Sequence, residues 1–227
     1  MSAAADPAIL RARRSEDVVV GDEIVRHRLA SRVIHWLVAL FFFVTLFTGL
    51  PIWTPVFAWM AWFFGGLHVC RWLHPWAGLL FFGATGAMFV HWLSDMRLTR
   101  EDREWLRPGT IAAYMKHQRE LADVGKYNGG QKLFFYAASL GALALLLSGV
   151  VLWLPESFPQ LLRLAAILLH DVAFILFAVA VVLHIYLPAA QPGTYRAMVH
   201  GTVSAAWARL HHPRWYREVR DGARPRP

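Results

Sequence analysis

The stretch ILLHDVAFILFAVAVVLHIYLP, residues 167–188, is an apolar run that carries two histidines, His170 and His184. Fourteen residues of α-helix complete nearly four turns, which places the two imidazoles within about 40° of one face and about 21 Å apart along the axis. That separation brings them near opposite sides of a bilayer. A histidine inside a membrane span is costly and indicates a functional site. The stretch therefore predicts two metal centres, each of which needs a second ligand from another part of the chain.

The composition is typical of a membrane protein. Of 227 residues, 57% are hydrophobic, 11 are Trp and 15 are Phe, and the mean hydropathy is +0.38. Cys70 is the single cysteine, which excludes an internal disulfide, an iron–sulfur cluster held by this chain and covalent attachment of a c-type haem. Any haem is therefore expected to be noncovalent, and any cluster is expected to belong to a partner.

Four apolar segments are each about long enough to cross a bilayer, at residues 33–50, 74–93, 133–154 and 161–187. Pro51, Pro155 and Pro188 follow the ends of the first, third and fourth, so these helices are expected to end there. The preceding residues 1–31 are polar and charged and lack the apolar core of a cleavable signal peptide. The sequence predicts an all-α membrane protein with four transmembrane helices.

The basic residues indicate the topology. Of the 23 Lys and Arg residues, only Arg71 and Arg163 lie in the loops after the first and third spans. By the positive-inside rule, both termini are expected in the cytoplasm. The formal charge of +8 could suggest a nucleic-acid partner, but this distribution is explained by topology, and no nucleic acid is expected.

With that orientation, the four histidines in the predicted spans form two pairs, and the two members of each pair are expected at the same depth in the membrane. His35 and His184 are expected at the cytoplasmic level, whereas His74, predicted to open the second helix, shares the outer level with His170. Two imidazoles facing each other across a four-helix bundle suit a six-coordinate haem b, and two such pairs predict two stacked haems. A zinc site would need further Cys or carboxylate ligands that are not present. The alternative is that the histidines extend to the lipid headgroups without binding metal.

Three other features have a functional and an ordinary interpretation. Glycines in the spans could make room for a porphyrin or for close helix packing, and no individual glycine is assigned. Arg32, one turn before His35, could pair with a haem propionate or anchor the helix at the membrane surface. The run GKYNGGQK, residues 125–132, could bind a quinone headgroup through its backbone and through Tyr127, Asn128 and Gln131, or it could form a capping turn with surface lysines.

Five motifs together resemble the cytochrome b (gamma) subunit of membrane-bound respiratory formate dehydrogenase. They are R-x-x-H-W at residues 32–36, L-H-P-x-x-G at residues 73–78, DVGKYNGGQK at residues 123–132, the His170 and His184 pair, and RLHHPRWYREV at residues 209–219. The resemblance covers nearly all of residues 28–219. R-x-x-H-W is shared by several haem b membrane families, whereas GKYNGGQK and HHPRWYRE are specific. The N-terminal 25 residues have no assigned counterpart.

The resemblance implies a bacterial inner-membrane subunit that carries electrons rather than oxidising formate itself. It implies that His35 and His184 bind the inner haem, that His74 and His170 bind the outer one, and that Asn128, Gly130 and Gln131 with His184 border a menaquinone or ubiquinone site. The partners would be a molybdenum- or tungsten-pterin catalytic (alpha) subunit and an iron–sulfur (beta) subunit. The domain organisation is then a polar segment at residues 1–31, a transmembrane dihaem domain at residues 32–188 and a basic tail at residues 189–227.

Electrons would enter from the iron–sulfur subunit on the outer face and reach quinone on the cytoplasmic side. The outer segments, residues 52–72 and 156–162, are rich in Trp and Phe and would form the docking surface or an aromatic belt in the lipid. Alternatives are the cytochrome b subunit of a hydrogenase or thiosulfate-reductase type complex, against which GKYNGGQK and the tail motif argue, and a non-redox membrane anchor.

Overall fold

The computed structural model describes residues 6–116 and 123–222, so residues 1–5, 117–122 and 223–227 of the terminal segments and central loop lie outside it. In the described ranges the helices are α1 (Pro7–Arg11), α2 (Leu29–Trp53), α3 (Leu67–Trp92), α4 (Arg100–Trp105), α5 (Pro108–Met115), α6 (Gly129–Trp153), α7 (Gln160–Ala190), α8 (Arg196–Val199), α9 (Ala205–His211) and α10 (Pro213–Arg220). The strands are β1 (Val18–Val20), β2 (Glu23–Val25) and β3 (Thr202–Ser204), and 3-10 helices cover Pro55–Phe64 and Pro155–Ser157.

Within the described residues, α2, α3, α6 and α7 are the four helices long and apolar enough to cross a membrane. This confirms the predicted number of spans, and each helix contains nearly all of one predicted segment. The chain is a mostly helical integral membrane protein. The prediction of an all-α fold was wrong, because three short strands pair through contacts between distant segments that local patterns do not show. Each helix begins before the apolar segment does, because the helical backbone continues through polar residues that lower the hydropathy.

The prediction that Pro51 and Pro188 follow helix ends was wrong. Each proline lies inside its helix, two residues before the end of α2 or α7. A proline in the last turn removes its own N–H from the helical pattern, but few helical hydrogen bonds remain after it to be disturbed. Pro155 does follow α6, and it begins the 3-10 helix Pro155–Ser157.

The start of α3 also differs from the prediction, which had His74 opening the helix. Gly65 and Gly66 have φ angles of +87° and +115°, a left-handed region that favours glycine, and they redirect the chain so that α3 begins at Leu67. His74 therefore lies in the third turn of α3. The hydropathy signal begins later because Arg71 interrupts it, although the backbone there is helical.

The 3-10 helix Pro55–Phe64 carries the aromatic residues predicted for the first outer segment. Its first turn is capped by Thr54, whose hydroxyl accepts from the N–H of Val56 at 3.4 Å. Trp59, Trp62 and Phe63 are exposed by 64%, 79% and 67%. Aromatic side chains exposed beside a membrane span are suited to a headgroup belt or to a protein partner.

The described chain divides into two compact units. The first, the transmembrane unit, comprises Ile34–His91 and Tyr136–Val179. Its core contains Phe177, whose ring stacks on Phe42 with centroids 5.4 Å apart and meets the edge of Phe81 at 5.6 Å. A Cβ at Gly141 would lie 2.8 Å from the Phe177 ring, so this glycine allows the close packing of α6 and α7.

The second, the terminal unit, comprises Met1–Val33, Trp92–Phe135 and Ala180–Pro227. Its strands form an antiparallel sheet in the order β1-β2-β3, with Ile24 opposite Val203. Both of these residues and Trp215 are fully buried. The N-terminal segment is therefore paired with the C-terminal part of the chain through β3 and α10.

Charged residues hold the terminal unit together from the inside. The ammonium of Lys126 lies 3.1 Å from Asp17 and 3.5 Å from Glu16, and the indole N–H of Trp215 donates to Asp17 at 2.7 Å. The guanidinium of Arg26 lies over the Trp215 ring at 4.9 Å. Buried charges of this kind are tolerated only when they are paired, so the N-terminal segment and the region around Lys126 depend on each other.

A second buried pair fixes the start of α6. The ammonium of Lys132 lies 2.6 Å from the Asp102 carboxylate, which also accepts from the N–H of Thr99 at 2.8 Å. Lys132 also donates to the carbonyl of Arg97 at 2.9 Å. The polar segment before α6 is thereby attached to α4.

We expect Lys132→Met to lower the free energy of unfolding of the terminal unit by about 3–5 kcal/mol, because it leaves the Asp102 carboxylate buried without its cation. The matched control is Arg100→Met, since Arg100 pairs with Glu104 at 4.0 Å on the surface and its side chain is 90% exposed. Thermal unfolding in detergent should show a clear loss for the first variant and little change for the second. Equal melting temperatures for the two would contradict the assignment.

Candidate functional site

The structure brings His74 of α3 and His170 of α7 together in the transmembrane unit. Their ring centroids are 6.3 Å apart, and the ring planes are inclined by 69°. They approach each other from different helices, as ligands on opposite sides of one atom would.

The separation of these rings tests whether a metal would fit between them. An imidazole nitrogen lies about 1 Å from its ring centroid and about 2 Å from a bound first-row metal, so two rings on opposite sides of one metal have centroids about 6 Å apart. The observed 6.3 Å agrees with that value. Among the described residues no group of three or more His, Cys, Asp or Glu side chains could hold a metal ion. The pair therefore suits a metal that brings its other ligands with it, as haem iron does.

Each of these imidazoles forms hydrogen bonds with the candidate membrane span that precedes its own helix in the chain. The Nδ1 of His74 lies 3.2 Å from the Thr48 hydroxyl and 3.1 Å from the carbonyl of Thr45, both on α2. The Nδ1 of His170 lies 2.9 Å from the Ser148 hydroxyl on α6. Sequence reasoning missed Thr48 and Ser148, although each directly precedes a glycine in an apolar span.

The glycines after these hydroxyl residues differ in how closely they approach the rings. A Cβ at Gly49 would lie 2.8 Å from Cε1 of His74, a distance that side chains do not tolerate without movement. A Cβ at Gly149 would lie 3.5 Å from Cε1 of His170, an ordinary van der Waals contact. Gly49 therefore makes room for the imidazole of His74, a role that the sequence did not assign.

We expect Gly49→Ala to displace His74 and to lower the amount of cofactor bound at this pair, because the new methyl group and the ring cannot occupy the same space. Gly149→Ala is the matched control, with the same added group at an ordinary contact distance. The measurement is the haem-to-protein ratio of each purified variant. A Gly49→Ala variant with the parent ratio would contradict the steric role.

The other predicted pair is divided between the two units. His35 lies on α2 in the transmembrane unit, where its ring meets the edge of the Trp36 ring at 5.2 Å. His184 lies on α7 in the terminal unit and stacks face to face on Phe134, with centroids 4.5 Å apart. Shared ligation of one haem by His35 and His184 stays a prediction.

Arg32 has a protein partner. Its guanidinium donates to the carbonyl of Val199 at 2.7 Å, which attaches the start of α2 to α8 within the terminal unit. A role toward a haem propionate stays a prediction.

The GKYNGGQK run forms a reciprocal cap at the start of α6. The side-chain carbonyl of Asn128 accepts from the N–H of Gln131 at 2.8 Å, and the side-chain carbonyl of Gln131 accepts from the N–H of Asn128 at 2.9 Å. The capping turn considered as an alternative is therefore present. Its lysines are not at the surface as that alternative supposed, because Lys126 and Lys132 are buried in the ion pairs described above.

Gly130 is explained by packing. A Cβ at this position would lie 2.6 Å from the ring of Trp105, a buried residue of α4. Its placement beside a quinone, implied by the resemblance, stays a prediction, but the close approach of Trp105 requires glycine there in any case.

The capped residues line a recess within the terminal unit. Only the side-chain oxygens take part in the cap, so it does not use the amide nitrogens of Asn128 and Gln131. The hydroxyl of Thr194 and the indole N–H of Trp207 are buried there without a hydrogen-bond partner among the described residues. The lining residues are Tyr114, Asn128, Gln131, Pro188, Gln191, Thr194, Trp207, His211 and His212. The recess is rich in hydrogen-bond donors, and sequence reasoning missed Thr194 and Trp207.

His212 contributes a neutral ring to this recess. Its Nδ1 lies 2.7 Å from the carbonyl of Gly125 and donates to it. Burial and the positive charge of Arg26 lower the pKa of His212 well below its ordinary value. The lining around the capped residues therefore carries no imidazolium charge from His212 at neutral pH.

The family model for prokaryotic cytochrome b561 matches residues 26–201. The chain belongs to the prokaryotic cytochrome b561 family. Membership of this cytochrome family implies that the chain binds haem b, and the His74 and His170 pair fits such a group.

Several relatives of this cytochrome b561 family member carry a more specific name. It is 36% identical to the formate dehydrogenase cytochrome b556 subunit of Haemophilus influenzae over 199 residues, 86% of this chain and 83% of the relative. It is 37% identical to the formate dehydrogenase cytochrome b556(fdo) subunit of Escherichia coli over 203 residues, 88% of this chain and 94% of the relative. The nitrate-inducible cytochrome b556(Fdn) subunit of that organism is 34% identical over 199 residues, 86% of this chain and 91% of the relative. These matches confirm the resemblance found in the sequence motifs.

Proposed function

We propose that this chain is the dihaem cytochrome b subunit of a respiratory formate dehydrogenase. It accepts electrons from an iron–sulfur partner at the outer face and delivers them to quinone at the cytoplasmic side of a bacterial inner membrane. The names of its relatives support formate dehydrogenase rather than a hydrogenase or thiosulfate-reductase complex. The catalytic subunit, with a molybdenum or tungsten pterin, would oxidise formate.

The observation that carries the proposal is the separation of His74 and His170. Their centroids are 6.3 Å apart in the transmembrane unit, a separation at which both imidazoles could hold one haem iron. A haem bound there supplies a one-electron carrier. The chain holds both imidazoles through hydrogen bonds from α2 and α6.

The second haem is proposed at His35 and His184. Both lie at the cytoplasmic level in the orientation that the distribution of Lys and Arg indicates. With one haem at each pair, an electron would cross the bilayer in two shorter transfer steps. The iron–sulfur partner would then dock on the outer segments at residues 52–72 and 156–162, where the exposed aromatic side chains of Pro55–Phe64 offer an apolar surface.

The purified complex is expected to contain two haems b per copy of this chain. His74→Ala and His170→Ala should each remove the same outer haem, so the double variant should lose no more than either single one. His35→Ala and His184→Ala should each remove the inner haem. Pyridine haemochrome quantification with reduced-minus-oxidised spectra checks this. A ratio of one haem or none in the parent would contradict the proposal, and none would favour a non-redox anchor.

The quinone site is proposed at the recess beside the capped start of α6. A quinone headgroup presents carbonyl acceptors, and the recess offers donors from Asn128, Gln131, Thr194 and Trp207. Pro188, near the end of α7, also lines it, so the recess lies beside the end of one candidate membrane span. Among the proposed donors, Asn128 can be tested most selectively. Its side-chain oxygen caps α6, whereas its amide N–H is the proposed donor to quinone, so one can be removed without the other.

Asn128→Asp should keep the cap and remove the donor. A carboxylate oxygen still accepts from the N–H of Gln131, and Asp is among the preferred capping residues, so the fold should be retained. Asn128 is buried, and loss of its amide N–H costs about 1–3 kcal/mol, which corresponds to about 5- to 150-fold weaker quinone binding. Haem reoxidation by quinone should slow, while haem content and reduction by the donor stay at parent values.

Gln131→Glu makes the same change on the other side of the cap, and Arg100→Met on the exposed surface of α4 is the control. Stopped-flow reoxidation of the reduced haems gives the rates. If both cap variants reoxidised at the parent rate, the run would be a helix cap alone and the quinone site would lie elsewhere.

A further inference from the structure

His74 and His170 meet the same arrangement of groups on two different helices. On α2, Thr48 places its hydroxyl 3.2 Å from Nδ1 of His74, one residue before Gly49. On α6, Ser148 places its hydroxyl 2.9 Å from Nδ1 of His170, one residue before Gly149. Thr48 and Ser148 are both fully buried. A hydroxyl followed by glycine therefore faces each imidazole.

The direction of these hydrogen bonds follows from the proton of each hydroxyl. The Thr48 hydroxyl donates to the carbonyl of Val44 at 2.7 Å, and the Ser148 hydroxyl donates to the carbonyl of Ala144 at 2.7 Å. A hydroxyl has one proton, so toward the imidazole each oxygen acts as the acceptor. The proton of the bond must then lie on Nδ1 of the histidine.

The carbonyl next to His74 gives the same result. The Thr45 carbonyl lies 3.1 Å from Nδ1 of His74, and a carbonyl can only accept. Both neighbours of this nitrogen are thus acceptors for one N–H. A neutral imidazole with its proton on Nδ1 has its lone pair on Nε2, the nitrogen available to a metal.

We propose that Thr48 and Ser148 are positioning residues that hold the proton on Nδ1 of His74 and His170 and direct Nε2 of each toward the outer haem iron. The inference rests on the proposed function, in which these two histidines bind that haem. Groups of this kind fix ring orientation and raise the basicity of the ligand. A more basic imidazole stabilises the oxidised iron more than the reduced iron.

The direct consequence is a change in the midpoint potential of the outer haem. Thr48→Val and Ser148→Ala each remove one acceptor from Nδ1 with little change in volume. The imidazole becomes less basic, so the midpoint potential of the outer haem should rise, and the double variant should rise further than either single one. The inner haem should keep its parent potential.

Thr85→Val on α3 is the matched control. The Thr85 hydroxyl is buried and has no hydrogen-bond partner among the described residues. The same exchange of hydroxyl for methyl at this position should therefore leave the outer potential unchanged. Thr48→Ser and Ser148→Thr retain the hydroxyl and should also keep the parent potential.

The experiment is a potentiometric titration of the purified complex with haem quantification and low-temperature electron paramagnetic resonance. A raised outer potential and a changed signal in Thr48→Val and Ser148→Ala, with parent values in the controls, support the inference. Parent potentials in both variants, or an equal shift in Thr85→Val, overturn it. If Thr48→Val loses the haem, retention in Thr48→Ser supports the hydroxyl role, and loss in both overturns it. A parent complex without haem would instead overturn the proposed function.

Discussion

The structure depends on the hydrogen bonds that satisfy two imidazoles inside apolar helices. A polar ring in a membrane interior has no water to bond with, so an unsatisfied N–H there costs several kcal/mol. Thr48 and the carbonyl of Thr45 accept from His74, and Ser148 accepts from His170. These bonds leave the other nitrogen of each ring for a ligand. Close packing of α2 against His74 in turn requires that residue 49 be glycine.

The terminal unit depends on a different interaction, the pairing of buried charges. A charge removed from water must lie against an opposite charge. Lys126 and Lys132 are each buried against carboxylates, and both belong to the run that begins α6. These pairs fix the backbone around Asn128, whose amide oxygen caps the helix. The cap does not use the amide nitrogens of Asn128 and Gln131, and the proposed quinone site depends on these two donors.

The membrane spans and the positions of the histidines on α7 could be predicted from the sequence, because hydropathy and helical spacing are local signals. Hydropathy located the four spans, and helical spacing placed His170 and His184 on one face of α7. Other features could not be predicted because they depend on distant contacts. The hydropathy signal missed the first turns of α3, where Arg71 interrupts an otherwise apolar helix. The burial of Lys126 depends on Asp17, more than a hundred residues away, and the pairing of β2 with β3 joins opposite ends of the chain.

Binding of one haem between His74 and His170 would be visible in a high-resolution cryo-electron microscopy map of the native complex. If the two histidines bind that haem, planar density will lie between the two rings, bonded to Nε2 of each, with the Nδ1 atoms still facing Thr48 and Ser148. A map in which the rings are in direct contact or hydrogen-bonded to each other, with no cofactor density between them, would contradict it.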